Sequence, residues 1–247
     1  MVKIKSLSKK GSKYLINTGD VEHKVTEETM IRFSITKGKE FTEEEFKSIL
    51  SFSKQSNYIN MALRYLSFKD RSIYQMREYL NKKEVSNADK LIKMLLDKGY
   101  LNDSRFAQNM FEHMFSSRKG PFKLRSELFK ARVDDDITSH VLSQYTFEMQ
   151  VEVLLELIEK ELSKRVRDSY KSYLNKLKKR FVSYGFSLDA ISMAIDESKD
   201  DLGNLVNEEE SLLRDYEKIK FQSKHRIIQK LMQKGYKYSE ILKLFDD

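Results

Sequence analysis

Cysteine is absent from the 247 residues. Disulfide staples, thiolate nucleophiles and cysteine-held metals are thereby excluded, and a reducing compartment suits the chain. Proline occurs once and glycine eight times, too few breakers for a sandwich or barrel of many turns. No apolar run approaches the roughly 18 residues that a membrane-spanning helix needs. The amino terminus, MVKIKSLSKKG, has lysines but no apolar stretch of signal-peptide length, so the expected location is the cytoplasm. Phosphate-loop, dinucleotide, zinc-protease and nucleophile-elbow motifs are also missing. His23, His113, His140 and His225 lack a second histidine or a carboxylate at ligand spacing. Asp134, Asp135 and Asp136 stand directly before a helix, where capping and the helix dipole account for them better than a divalent cation does. No converging catalytic constellation emerges, so the expectation is a non-enzyme without cofactor or metal.

What remains is charge and helix periodicity: 34% charged and 40% hydrophobic residues. Residues 1–25 read as strands, with Val2, Ile4, Tyr14 and Ile16 alternating with polar neighbours, a turn at Lys10-Gly11, and a third strand over Val21 to Val25. Thr26 is a candidate N-cap for a helix over about 27–35, and Thr42 to Glu45 form a capping box ahead of Phe46, Ile49, Leu50 and Phe52. From about Asn57 one block recurs four times: an apolar helix, a basic helix, and a short helix entered through a turn-like joint. The joints are Glu84-Val85, Arg132-Val133, Gly185-Phe186 and Gly235-Tyr236, and four residues before each stands Leu80, Leu128, Phe181 or Leu231. Repetition at roughly 40–50 residues marks an array of small modules. The predicted fold is mainly α, with tandem three-helix repeats in an elongated array behind a small N-terminal β-hairpin or three-strand extension. The expected divisions are 1–56 for the extension and its helices, 57–101, 102–145, 146–200 and 204–247 for the repeats, with KDDLGNLVN (199–207) as linker. Gly99 and Gly185 are expected to permit left-handed joints, and Leu101 and Phe106 to pack between blocks.

The net charge of +8 is unevenly spread. Segment 69–83 carries +3, 118–132 carries +5, 160–180 carries +7 and 218–234 carries +6, whereas 196–217 carries −7. A basic strip in every repeat suits a periodic polyanion or a periodic protein surface. Tyr170, Tyr173, Phe181 and Tyr184 interleave with the cations, but their helical spacing reads as core rather than as base-stacking platforms.

The run Lys98 to Ala107, KGYLNDSRFA, resembles the signature of the RecX family of bacterial regulators of the RecA recombinase. Ala62 to Ser67 with Arg71-Ser72 is similar to the family's entry motif, although Gln75-Met76 replaces its Glu-Leu pair. Gly120-Pro121 with Glu127-Leu128 matches the second block, with Arg132 where the family has glycine. Tyr184-Gly185-Phe186 with Asp189 and Ile191 matches the third. The first strands and fourth block resemble the longer Gram-positive members. The resemblance implies a modulator, chiefly an inhibitor, that binds the RecA filament on single-stranded DNA, blocks its growth, and depresses ATP hydrolysis and strand exchange in repair and recombination. Charge clustering within the matched blocks makes Arg64, Lys69, Arg71, Arg77, Arg118, Lys119, Lys123 and Arg125 the candidate contacts with filament or DNA, the protein acting as a monomer. Two other readings stay open: a direct DNA-binding helical-repeat protein, and a helical adaptor that binds protein alone. The acids opening the third helices (Asp134 to Asp136, Asp189) argue against insertion of those helices into a DNA groove.

Overall fold

A computed structural model describes residues 1–19 and 21–245, which contain fourteen helices and five strands. The chain divides into two units, Met1–Phe106 and Ala107–Asp247. Two residues of the expected fourth repeat, Asp246 and Asp247, lie outside the described residues, as does Asp20.

In the first unit, β1 (Val2–Lys3) pairs antiparallel with β5 (Glu40–Phe41), while β2 (Ser6–Lys10), β3 (Lys13–Asn17) and β4 (Glu22–Thr26) form an antiparallel meander. The alternation read in the sequence is realised: Ile4, Ile16 and Val25 point inward and are buried with Ile35, Phe41, Phe46 and Ile49. Thr26 caps α1 (Glu27–Arg32), and Thr42 with Glu45 forms the reciprocal capping box of α2 (Glu43–Phe68). The apolar spacing predicts separate helices before and after residue 57, but α2 is continuous across it. Polar residues ahead of that point serve the sheet. The Ser53 Oγ accepts from the Thr26 amide (3.1 Å), and the Ser56 Oγ accepts from the Thr26 hydroxyl (3.0 Å) and donates to Glu28 (2.6 Å).

The second half of α2 then serves as the first helix of repeat one, with α3 (Ile73–Lys82) and α4 (Ala88–Asp97) around a core of Ala62, Met76, Leu80, Leu91 and Leu95. Leu101, expected between blocks, belongs to this core. Repeat two is α5 (Asp103–Ser116), α6 (Pro121–Lys130) and α7 (Asp135–Ser143); the boundary between the two units falls inside α5. Repeat three is α8 (Phe147–Leu162), α9 (Tyr170–Tyr184) and α10 (Leu188–Glu197). The expected linker is instead a short helix, α11 (Lys199–Asn204), anchored by the fully buried Leu202. Repeat four is α12 (Glu208–Glu217), α13 (Lys224–Gln233) and α14 (Tyr238–Lys243), with Leu212, Ile227, Leu231, Tyr236 and Ile241 inside.

All four joints have one geometry. Glu84, Arg132, Gly185 and Gly235 take φ of 52°, 49°, 94° and 100°. The residue after each returns its amide to the apolar residue five positions back: Val85 to Leu80 (3.1 Å), and Val133 to Leu128, Phe186 to Phe181 and Tyr236 to Leu231 (3.2 Å each). The joint residue itself donates to Asn81, Phe129, Val182 or Met232 (2.9–3.0 Å). These are Schellman motifs, whose two bonds satisfy carbonyls a helix end otherwise leaves open and whose apolar pair seals the turn. Every member of those four apolar pairs is buried.

Within the second unit, neighbouring repeats meet through the same joints. The Gly120 amide donates to the Tyr184 carbonyl (2.9 Å) and the Phe122 amide to the Gly185 carbonyl (3.0 Å), so the start of α6 sits on the end of α9. A Cβ on Gly120 would lie 2.3 Å from the Gly185 oxygen, and one on Gly185 would lie 2.3 Å from the Lys123 amide nitrogen. The start of α9 meets the joint of repeat four in the same manner. There the Ser169 hydroxyl donates to the Lys234 carbonyl, and a Cβ on Gly235 would come within 2.7 Å of the Lys171 Cβ.

A further link is a carboxylate at the first position of the next repeat's leading helix. Asp103 accepts from the Ile73 amide (2.8 Å) and Glu208 from the Tyr170 amide (2.8 Å), each donor being the first residue of a second helix. Burial raises the Asp103 carboxyl above its ordinary range, against the lowering effect of the Ile73 bond. Repeat two opens its second helix with Pro121, which has no amide to satisfy, and repeat three correspondingly opens with Phe147.

Candidate polyanion-binding surface

The second helix of each repeat exposes basic side chains because its apolar positions are consumed by the module core. On α6, Leu124 and Leu128 are fully buried, so residues a third of a turn away face solvent.

The eight candidate contacts divide by how they are held. Arg64 on α2, and Lys69 at its C-cap, are exposed without an ion pair among the described residues. Arg71 is half-buried: its guanidinium lies 4.2 Å over the Tyr65 ring, which stacks on Tyr79 at 3.9 Å and 7°. The Arg71 Nε lacks a hydrogen-bond partner among the described residues. Arg77 pairs with Asp89. Arg118, with φ 54° in the turn after α5, pairs with Glu156 at 2.9 Å. Lys119 places its ammonium 3.6 Å over the Tyr184 ring, and its carbonyl accepts from the Tyr145 hydroxyl at 3.1 Å. Burial pushes the Tyr145 phenol up to about 12, so that donor persists across the working pH range. Lys123 approaches Glu127 at 3.8 Å, and Arg125 is exposed with no ion pair among the described residues.

Pairing does not disqualify these cations. The Arg118 and Glu156 side chains are 40% and 47% exposed, and an ion pair in that setting is worth roughly 0–1 kcal/mol. A phosphate can replace such a carboxylate at small loss. The Arg71 stack is different: it holds one guanidinium over Tyr65, itself stacked on Tyr79, and is a part of the module's structure.

Two aromatic residues escaped the sequence reading. Phe122 and Phe129 are 57% and 79% exposed, and seven residues apart on α6 they share its outer face with Arg125 between them. The third-repeat aromatics behave as expected where they are core: Tyr173 and Phe181 are buried. Tyr184 carries Lys119 instead. Two acids within the 160–180 and 196–217 segments, Glu161 and Asp215, are internal. Burial pushes the Glu161 carboxyl up, but hydrogen bonds from Lys164 (2.6 Å) and Arg180 (2.9 Å) outweigh it and hold the group below the usual carboxylate range. Asp215 is likewise opposed by burial and held down by Lys234 (3.0 Å), Lys218 (3.1 Å) and the Tyr236 hydroxyl (3.0 Å). Among the described residues, no helix is long and apolar enough to cross a membrane.

Residues 59–89, the end of α2 through α3 into α4, match the family described as RecX, first three-helix domain. Regulatory protein RecX of Bacillus cytotoxicus is 30% identical over 227 residues, covering 88% of this chain and 84% of that protein. Regulatory protein RecX of Streptococcus mutans serotype c is 28% identical over 254 residues, 97% of each chain. The crystal structure of RecX from Lactobacillus salivarius superposes with a TM-score of 0.52 at 31% identity, over 58% of this chain and 96% of that one. A second crystal structure, of regulatory protein RecX, has a TM-score of 0.55 at 22% identity over 79% of this chain and all of that one, a likeness of fold. With its tandem three-helix modules, their left-handed joints and a relative at this identity over most of both lengths, the chain belongs to the RecX family of regulatory proteins.

Proposed function

We propose that this protein regulates the RecA recombinase, chiefly as an inhibitor, by binding the RecA filament on single-stranded DNA, blocking its growth and depressing ATP hydrolysis and strand exchange. The observation that carries the reading is family membership over nearly the whole chain, joined to a cationic second helix in every module. A filament is periodic, and one weak contact per repeat accumulates through effective concentration without any single strong site. The candidate contacts on this reading are Arg64, Lys69, Arg71, Arg77, Arg118, Lys119, Lys123 and Arg125, on a monomer. The exposed rings of Phe122 and Phe129 beside Arg125 favour direct contact with unpaired bases as a second component of binding. Insertion into duplex grooves is disfavoured because α7 opens with the exposed acids Asp135 and Asp136.

The test is RecA ATP hydrolysis on single-stranded DNA at increasing ratios of this protein. A fall at low ratio means capping of filament ends, a fall near saturation means occupation along the filament, and no effect refutes the proposal. Charge reversal of Arg118, Lys119, Lys123 and Arg125 together should weaken filament binding and flatten its salt dependence; unchanged affinity and slope would remove those residues from the contact.

A further inference from the structure

A concentrated set of donors in the second unit lies where repeats three and four meet. A cleft of about 640 Å³ is lined there by Arg167, Ser172, Lys176, Arg214, Lys218 and Lys234, with Ser169 and the acids Asp168 and Asp215. Both acids are already occupied. Asp168 takes both of its bonds from Lys176 at 2.8 Å, and Asp215 is filled by Lys218, Lys234 and the Tyr236 hydroxyl. Five cations against two carboxylates leave three positive charges in the cleft.

The donors outnumber the acceptors still open. An ammonium has three N–H groups and a guanidinium five. Lys176, Lys218 and Lys234 spend one or two of theirs, and their side chains remain 64%, 61% and 49% exposed. Arg214 gives one N–H to the main-chain carbonyl of Arg167, and Arg167 has no ion pair among the described residues. Two of the first three amides of α9 are already taken, that of Tyr170 by Glu208 and that of Ser172 by the Ser169 hydroxyl. The site is therefore one of side chains, and it does not depend on a helix end.

We infer that this cleft binds phosphate groups, and that its occupant is the phosphodiester backbone of single-stranded nucleic acid. A carboxylate offers two oxygens, too few for this many donors, while successive phosphates present several and match guanidinium geometry. The volume exceeds that of one free ion and lies within the roughly 300–1,000 Å³ of ligand sites. The segment that supplies α9 is also the most basic in the chain, with nine lysines and arginines in residues 160–180. The inference deepens the RecA reading and rests on it for its biological setting: it adds a DNA contact in the last two repeats, away from the candidates in the first two.

The probe is a fluorescein-labelled thymidine oligonucleotide of about 30 nucleotides, titrated with the full chain across a salt series. The double variant R167A/R214A removes two phosphate contacts, so the slope of log K against log salt should fall by about 1.4, at roughly 0.7 per single-strand contact, and affinity by about tenfold or more. R167K/R214K keeps the charge and should keep most of the slope. An alanine variant with the wild-type circular dichroism and melting temperature but an unchanged slope and affinity overturns the proposal. Competition at constant ionic strength separates sources. Inorganic phosphate displacing the oligonucleotide no better than chloride supports the polymer backbone; displacement at low millimolar concentration shows a free-phosphate site and overturns the assignment of its occupant. Arginine-dependent binding of polyglutamate, with none of the oligonucleotide, overturns it as well. Loss of RecA inhibition by the unaltered chain would refute the functional reading and leave the cleft standing; unchanged oligonucleotide binding does the reverse.

Discussion

The contact between Gly120 and Gly185 offers the sharpest test of how the repeats are joined. Gly120 has φ −78°, a value any residue adopts, so Gly120→Ala carries no backbone penalty. In a site with room, that change would stabilise by about 0.4–1 kcal/mol through the unfolded chain. Here the new Cβ would meet the Gly185 oxygen at 2.3 Å and its carbon at 2.4 Å, both backbone atoms that cannot swing aside. The start of α6 must retreat by about 1 Å, lengthening the bonds from Gly120 to Tyr184 (2.9 Å) and from Phe122 to Gly185 (3.0 Å). Two weakened buried bonds with overpacking amount to a loss of about 2–4 kcal/mol. Gly185→Ala meets the Lys123 backbone at 2.3 Å and adds the left-handed penalty at φ 94°, for about 3–5 kcal/mol. Gly99 supplies the control: its φ is 72° with nothing within 4 Å, so Gly99→Ala should lose only about 1 kcal/mol. Since either alanine opens the same seam, the double variant should lose at least about 1 kcal/mol less than the sum. Urea unfolding measures these differences, and hydrogen exchange at the Gly120 and Phe122 amides locates them. A neutral or stabilising Gly120→Ala, or strict additivity with Gly185→Ala, would refute the docking.

Glu84 holds a left-handed joint at φ 52° without the freedom of glycine, so Glu84→Gly should raise stability by about 0.5–1 kcal/mol, read as an increase in the urea midpoint at constant slope; a decrease would mean its side chain contributes more than the backbone loses. Asp215 has its folded pKa depressed below the ordinary aspartate value, so its contribution is fully present above about pH 4 and is lost as pH falls through the lower folded value. Asp215→Asn should therefore lower the melting temperature at neutral pH, by about 2 kcal/mol of stability, and flatten the acid limb of the stability curve; an unchanged limb would remove Asp215 from the acid response.

The joints were legible because a Schellman turn fixes an apolar pair at set spacing, and Leu80 with Val85 or Phe181 with Phe186 display it in a single chain. Capping residues were equally visible at Thr26, Thr42 and Asp134, since their hydrogen bonds are local. The unbroken α2 was not. Ser53 and Ser56 bond to Thr26, almost thirty residues earlier, and that long-range demand does not show in local spacing. The helix at 199–204 was hidden by Gly203 and a run of acids, and only the burial of Leu202 accounts for it. Charge sums found the basic second helices but could not separate Arg125, which is open, from Arg71, which is stacked on Tyr65. Nor could they show that Glu161 and Asp215 are internal, or that the donors of repeats three and four share a hollow. Each of these depends on which elements meet, and spacing along one helix does not encode that.

The carboxylates that begin α5 and α12 give the modules an order. Each suits only a predecessor whose second helix starts with a free amide, and the proline of the second module asks for none. Exchanging modules two and three would bury an amide with no acceptor at one seam and strand an acid at another. The tandem units thus share a shape but are not interchangeable in use, and the grammar of their succession is written in three residues: Asp103, Pro121 and Glu208.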